Sequence, residues 1–516
     1  MPYDYRPFPY VAPPGLTAPE PRHRVVIVGA GPIGLAMALD LAGHGIASVV
    51  LDDNDVVSVG SRAICWSKRS LEILDRLGVG DKAVDKGVTW KVGRTFHRDA
   101  EVFSFDLQPE PGHKMPAFVN LQQYYVEQFL AEAALANNLI DLRFKNNVTN
   151  VAQTGDSVRA EIETPDGAYQ IEAEYLIACD GARSPIREAM GLEFDGELFE
   201  ERFLIADIEM RADTPPERWF WFEPTFHPGQ SALLHKQPDN IYRIDLQLGW
   251  DADPDEEKKP ENVIPRIEKV VGHGDFRLDW VSVYTFQCRR LRRFVHDRVI
   301  FAGDSAHVVS PFGARGGNGG LQDVDNLGWK LAAVLDGRAD AALLETYDAE
   351  RTFGTDENIL NSTRSTKFMT PADGAERMFR DQVLALAAKA PFARSWVNSG
   401  RLSVPCVYPT DSANDPAFPA VSQPGAVMPD APQGNGWLIE RTGGRVVILA
   451  FDCEVDGIEG AEVIRPVITK PVRDRFLGDL AHAVYVIRPD QVVAGRWPYV
   501  DRRAIRACID TIWGRK

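Results

Sequence analysis

The stretch Arg24–Asp52 constrains the fold more than any other part of the chain. Arg24–Val28, RVVIV, is an unbroken apolar run of the kind that forms a strand buried on both faces. Gly29-Ala30-Gly31-Pro32-Ile33-Gly34 follows at once. A helical pattern through Leu35, Met37, Ala38 and Leu41 comes next and stops near Gly43 and Gly45. A second strand, Ser48–Leu51, ends on Asp52, eighteen positions beyond the third glycine. Strand, GxGxxG turn, helix, strand and acid in this order form the dinucleotide-binding βαβ unit. The glycines let the turn close and the backbone approach a pyrophosphate at a helix N-terminus, and the carboxylate accepts from a ribose hydroxyl. An aspartate at that place suits an adenosine without a 2′-phosphate.

A second glycine-rich stretch, Phe301–Leu335, has the same logic. A short strand, Arg298–Ala302, ends on Gly303-Asp304, and a loop with Pro311 leads to five glycines in the eight residues 313–320. The helix that follows carries Leu321, Val324, Leu327, Leu331 and Val334 at three- and four-residue spacing. A plain turn needs few glycines; this one leaves free N–H groups at a helix N-terminus, with Asp304 placed to accept from ribityl or ribose hydroxyls. A third strand-end acid stands in Cys179-Asp180-Gly181, with Arg183 and Arg187 one turn apart; a turn capped by Asp180 would look the same.

Between the motifs the chain changes character. Residues Pro2–Pro21 hold seven prolines with Tyr3, Tyr5, Phe8 and Tyr10 among them, which excludes helix and central strand and leaves a disordered tail or an extended arm. Helices are expected over about 67–77, 120–136, 341–351 and 375–390, and a β-meander over 142–177. Arg62, in Ser61-Arg62-Ala63, sits in a loop and is placed to meet a pyrophosphate or to stay solvated. Residues 203–286 are strand-rich and aromatic, with a hairpin turn at Pro238-Asp239-Asn240. Along 241–248 the odd positions Arg243, Asp245 and Gln247 share one face, opposite Tyr242, Ile244, Leu246 and Leu248. That polar face is either a solvent-facing side or the wall of a substrate pocket. The acidic run 251–257 reads as a solvated loop, 401–432 as a linker, and 437–516 as a small α/β domain.

Composition sets the outer limits. With 516 residues, a net charge of −17 and 25% charged residues, the chain has no excess of Lys and Arg for nucleic acid. The most apolar region, 25–51, is too interrupted to span a membrane. The six cysteines are scattered without a CxxC, which predicts reduced thiols of a cytoplasmic protein and no metal site.

The ordered set GxGxxG (29–34), CDG…R (179–187) and GD…P…GGN (303–318) resembles the class A FAD-dependent aromatic hydroxylases, with the fold of p-hydroxybenzoate hydroxylase, over about residues 23–365. The resemblance implies an α/β fold: a Rossmann-like FAD-binding domain with an interleaved β-sheet substrate domain. Residues 424–432 and 485–497 add a likeness to the thioredoxin-like C-terminal domain of the phenol hydroxylase and 3-(3-hydroxyphenyl)propionate hydroxylase branch. Without CxxC that domain has no dithiol chemistry, which leaves packing or dimerisation to a homodimer as its role. The implied domains are an arm (1–22), the FAD-binding domain (23–190 and 291–400), the substrate domain (191–290, joined by 88–119) and the C-terminal part (401–516).

The resemblance also assigns roles. Gly29, Gly31, Gly34 and Asp52 would hold the ADP half of FAD. Arg62 and Gln123 would meet the flavin, and Asp304 the ribityl chain. Gly316, Gly317 and Asn318 would meet the pyrimidine edge, and Asp180 both FAD and the nicotinamide cofactor. Pro311 would lie beside the reacting ring. The implied reaction uses NADH or NADPH and O2 to hydroxylate a small phenolic substrate through a flavin C4a-hydroperoxide. Asp53 and Asp55 favour NADH. Phenol activation falls to His235 or the Arg243/Asp245 pair, with Tyr242, Tyr284 and His227 in reserve, and Arg243 would suit a substrate carboxylate. Three alternatives stay open: a halogenase, from Trp219–Pro224 and Lys68; an epoxidase or reductase; and a non-catalytic FAD-binding protein.

Overall fold

The computed structural model describes residues 3–60, 62–212, 214–311, 313–371, 373–397 and 402–515, without the side chains of Phe199, Glu200 and Phe286. Ser61 of the SRA loop and the expected boundary at 400/401 lie outside the described residues.

The fold is mixed α/β, with two eight-stranded sheets and a smaller four-stranded one. The first sheet is built on the parallel order Val299–Phe301, Gly167–Ala178, His23–Val28, Ser48–Leu51, Ile140–Arg143. Its strands are the near-continuous apolar runs that a sheet covered on both faces demands, and Val25, Ile27, Val50, Ile177 and Ile300 are fully buried. Helices Pro32–Gly43 and Gly316–Leu335 pack together on it, and the meander of Asn147–Thr154, Ser157–Thr164 and Gly167–Ala178 extends one strand.

The second sheet is largely antiparallel. Its strands run in the order His307–Val308, Arg277–Arg290, Asp195–Glu209, Ile241–Gln247, Ser231–Lys236, Arg218–Phe222, Val92–His97, Ala100–Asp106. The expected hairpin is present: Asp239 and Asn240 have φ of 63° and 59°, the paired left-handed residues that match a tight turn to strand twist. One face of this sheet, with Leu204, Ala206, Leu234, Tyr242, Ile244 and Leu246, packs on Val263 and Ile267 of helix Pro260–Val271.

The four-stranded sheet near the C-terminus runs Glu462–Ile464, Val447–Phe451, Ala483–Ile487, Val493–Trp497. Its first pair is parallel and the rest antiparallel, followed by helix Arg502–Ile512. This is the thioredoxin-like strand order, except that residues 452–461 connect the parallel pair without a helix.

Some element boundaries differ from expectation. The helix expected over 120–136 begins at Gln123, because Phe118–Asn120 pairs as a strand with Cys65–Ser67 and Val88–Trp90. The helix expected over 341–351 runs on as Leu343–Met369. Part of the acidic run forms a short helix, Pro254–Glu257, whose first turn gains from its own acids. The proline-rich segment is an ordered arm: Tyr3 and Tyr5 join Tyr124 and Tyr125 in an aromatic cluster, and Phe8 stacks on Phe144 at 4.5 Å. Residues 402–433 are irregular but not a free linker, since Leu402, Cys406, Tyr408 and Phe418 are buried.

Candidate functional site

The parallel sheet brings the sequence motifs together at one edge. Asp304, Asp180, the Gly29–Gly34 turn and Asp52 follow the C-terminal ends of four successive strands, where ligands of open α/β sheets bind.

Each glycine of the first turn has a different surrounding. A Cβ on Gly29 would lie 2.4 Å from the Cys179 carbonyl oxygen, and one on Gly34 would lie 1.9 Å from that of Gly29. A Cβ on Gly31 would meet nothing within 4 Å, so this glycine faces the open space a pyrophosphate would fill. Asp52 accepts from Ala30 N at 2.5 Å and Asn54 N at 2.9 Å, and burial pushes its carboxyl up to about 6. Asp180 accepts from Ser184 Oγ and Ile186 N through one oxygen, while the other has no partner among the described residues. Ser184 is the N-cap of the short helix and Asp180 takes a second N–H of its first turn, and Arg187 ties the turn to the second motif by donating to the Ser305 carbonyl.

Asp304 is exposed at its strand end, and the Gly303 N–H beside it is held by Asp323. Asp323 also binds His307 Nε2 at 2.7 Å and Arg351 Nε at 2.7 Å, a buried triad beneath the loop. Helix Gly316–Leu335 begins with Gly316, Gly317 and Asn318, which supply the N–H groups of its first turn. The Asn318 side chain is structural: it donates to the carbonyls of Cys65 and Ala314 and accepts from Ser67 N.

The Arg62 loop is pinned from several sides. Glu127 accepts from Ser58 N and Oγ, Gln123 accepts from Ala63 N, and Tyr5 Oη accepts from Gly60 N. Arg243 Nη1 donates to the Arg62 carbonyl, and the Arg62 side chain is exposed. Gln123 is bonded to this loop and to Glu127.

The apolar-backed sheet turns its other face to a cavity. Phe203, Ile205, Arg218, Leu233, His235 and Asp245 line it from the sheet, and Pro311, Gly313 and Ala314 from the loop that leads into Gly316–Asn318. Cys65, Trp90 and Leu402 complete the wall. Ser403 N holds the Gly313 carbonyl, so the segment after 401 forms part of the site.

Strand register explains the charges. Arg218, His235, Arg243 and Asp207 stand directly opposite one another across four strands. Arg243 forms a buried two-point pair with Asp207, Nε to Oδ1 at 2.8 Å and Nη2 to Oδ2 at 2.7 Å, and does not line the cavity. Arg243 therefore reaches Asp245 only through its charge, its fork being engaged by Asp207 rather than turned to the cavity. Asp245 does line the cavity. Burial pushes its carboxyl up to about 7, against the pull of Arg243, and its Oδ1 has no hydrogen-bond partner among the described residues.

His235 is held well below its usual range by burial and by Arg218 and Arg243. Its Nδ1 faces Asn120 Nδ2 at 3.5 Å, an amide oriented by the Trp90 indole N–H on its oxygen, which leaves the proton on Nε2. The histidine is thus neutral and a poor base. Two reserves fall away: Tyr242 points to the opposite face and donates to the Ala212 carbonyl, and His227 is bound to the Gln247 carbonyl. Trp219 and Trp221 alternate away from the cavity and pack with Phe96, and Lys68 meets His113 and Glu72, so the halogenase-like residues do not converge on it.

Sequence reasoning missed Arg218, Asn120, Cys65 and Leu402. Only Arg218 had a visible signal, since its spacing of two from Phe220 puts it on their face. Among the described residues, His97, Glu223 and Asp381 come close enough to share a metal ion, but the Arg380 guanidinium already bridges the two carboxylates.

Comparison with known proteins places this geometry. The profile of the FAD binding domain family matches residues 22–359. The chain belongs to this family. The flavoprotein is 28% identical over 375 residues to the 3-(3-hydroxy-phenyl)propionate/3-hydroxycinnamic acid hydroxylase of Mycolicibacterium smegmatis, covering 72% of the chain and 66% of that relative. It thus spans just under two thirds of that relative's length. It is 28% identical over 503 residues to a protein of Rhodococcus jostii named "Probable NADH-specific resorcinol 4-hydroxylase", covering 91% of each. Its fold matches the flavin-dependent monooxygenase PieE with a TM-score of 0.79 at 22% identity, over 97% of this chain and 100% of that one. The cradle at Gly31 and the helix N-terminus at 316–318 fit a bound FAD. Among the described residues, no helix is long and apolar enough to cross a membrane.

Proposed function

We propose that this flavoprotein is a single-component monooxygenase that uses NADH and O2 to hydroxylate a phenolic aromatic compound. One observation carries the reading: a partly polar cavity is lined by Pro311, Gly313 and Ala314, on the loop that leads into the glycine-rich helix N-terminus at Gly316. When bound there, FAD supplies the redox and oxygen chemistry.

The chain's own residues do the rest. Gly29, Gly31, Gly34 and Asp52 hold the ADP half, and Asp304 the ribityl chain. Arg62, Gln123 and the N–H groups of Gly316, Gly317 and Asn318 hold the flavin, and Asp180 with its unpartnered oxygen borders the pyrophosphate. Pro311, in the cavity wall, would stand beside the flavin ring. Asp245 Oδ1 takes the phenol proton, since a carboxyl near 7 is matched to neutral pH. The neutral His235 donates a hydrogen bond through Nε2, and Arg243 positions the Arg62 loop through its carbonyl. Apolar walls from Phe203, Ile205, Leu233 and Leu402 keep water away.

NADH rests on the name of the Rhodococcus relative and on Asp53 in the loop after Asp52; Asp55 adds less, because Lys145 pairs with it. The six free thiols support a reducing cytoplasm. The sheet partition supports domains at 23–190 with 291–400, 191–290 with 88–119, and 401–516.

The test is NADH oxidation in air with a panel of phenols, together with an assay of hydroxylated product. Phenol-stimulated oxidation with near-equal product is expected. A rate of flavin reduction indifferent to every phenol would return the reductase or scaffold readings.

A further inference from the structure

We propose that the outward face of helix Gly374–Lys389 is a dimer contact. On it the same helix of a second copy of this chain packs antiparallel, about a two-fold axis through Gln382. The inference goes beyond the hydroxylase reading and does not depend on it. The inner face of the helix is already used: Val383, Leu384 and Ala387 share a core with Phe103, Phe203 and Leu233 of the second sheet. The outer face is apolar as well. Ala375, Met378, Phe379, Ala385 and Leu386 are exposed, Met378 by 66% and Phe379 by 65%. Phe392 and Trp396, with ring centroids 5.4 Å apart, are exposed just beyond the helix end. A helix that is apolar on opposite faces belongs between two layers, and the described residues supply one.

Spacing names the occupant of the other. Gln382 is exposed at the centre of the stripe, its apolar positions lie three and four residues to either side, and Ala375 and Lys389 stand seven away. A stripe with this symmetry matches itself when a copy runs antiparallel. Met378 then meets the partner's Leu386, and Phe379 meets the partner's Ala385, large against small. Glu376 in the first turn comes beside the partner's Lys389 in the last, and the two helix dipoles oppose each other. A net charge of −17 repels a copy or an anionic lipid surface from any acidic face; a stripe with balanced ends escapes that repulsion only towards its own copy. Met378, Phe379, Leu386, Phe392 and Trp396 leave on the order of 500 Å² of apolar surface, a patch size that marks a protein contact. That is the greater part of the roughly 800 Å² per partner that a stable interface buries.

The test is the mass of the FAD-loaded full chain by sedimentation equilibrium across micromolar concentrations. Twice the chain mass is expected. Phe379→Asp changes a side chain that is exposed in the protomer, so it should weaken the dimer by roughly 100-fold or more and leave flavin content unchanged. Gln382→Cys, on the axis, should yield a covalent dimer on a non-reducing gel after mild oxidation with oxidised glutathione. Lys389→Cys should not, because its two copies stand roughly 20 Å apart along the paired helices.

A monomer at every concentration overturns the inference, and so does a monomer that binds phosphatidylglycerol vesicles through this face. A dimer that survives Phe379→Asp, or that cross-links as readily through Lys389→Cys as through Gln382→Cys, has another surface or register and overturns it too. If Phe379→Asp does not fold, the two cysteine variants decide.

Discussion

At the residue scale, two glycines of one motif separate folding from binding. Gly31 has φ of −71°, ordinary for any residue, and open space where a Cβ would go. Gly31→Val is therefore expected to leave the thermal stability of the apoprotein within about 1 kcal/mol of wild type while weakening FAD at least tenfold, read by flavin fluorescence on titration. Gly34→Ala puts a Cβ 1.9 Å from a backbone oxygen and should destabilise the apoprotein itself. Asp245 gives a prediction in pH. Its carboxyl, raised to about 7 in the fold, binds more protons there than in the unfolded chain between about 4 and 7, so the group loses stability for the protein as pH rises through that window. Asp245→Asn should thus be more stable than wild type at pH 8, by as much as about 4 kcal/mol, and nearly equal at pH 4. Parallel melting curves for both proteins across that range would show it, and a constant difference would refute it.

At the scale of elements, the second sheet shows how a period of two converts sequence into a two-faced wall. The odd positions of Ile241–Gln247 read as a polar face, and the structure turns that face to the cavity while the even positions pack on a helix. What alternation could not reveal is which polar residue is spent on a neighbour. Asp207 stands opposite Arg243 in register and absorbs it. Arg243→Met alone should cost about 3–5 kcal/mol, because it strands a buried carboxylate, and the double variant with Asp207→Asn should recover much of that loss. The N-terminal arm is another such element. It packs Phe8 on Phe144 and bonds its N–H to the Asp55 carbonyl, and Tyr5 holds Gly60, so it straps the loop that runs from Asp52 to Arg62. Deletion of residues 1–12 is expected to lower the melting temperature and to speed limited proteolysis within 53–62.

At the scale of the whole molecule, the C-terminal part is built into the FAD-binding body. Trp329 and Ala333 of the Gly316–Leu335 helix share a core with Val446, Ile448, Val484 and Ile505. Arg488 bridges Glu350 and Asp490, and Arg69 donates to the Asp490 carbonyl and to Gln491. Leu402 and Ser403 then reach the cavity and its loop. A chain ended at residue 400 exposes that apolar helix face and should yield protein that aggregates and binds no FAD, judged by size-exclusion chromatography and flavin content. The sequence by itself determined the parallel sheet, the three strand-end motifs and the polar face of the hairpin, because these rest on local periods and on glycines whose surroundings are set within a few residues. Only the tertiary structure decided that Arg243 is engaged by Asp207 while Arg218 finds no hydrogen-bond or ion-pair partner among the described residues, that Tyr242 and His227 face elsewhere, and that Leu402 lines the cavity. Those outcomes depend on strand order and register between segments far apart in sequence, and residue spacing carries no record of which side chain meets which.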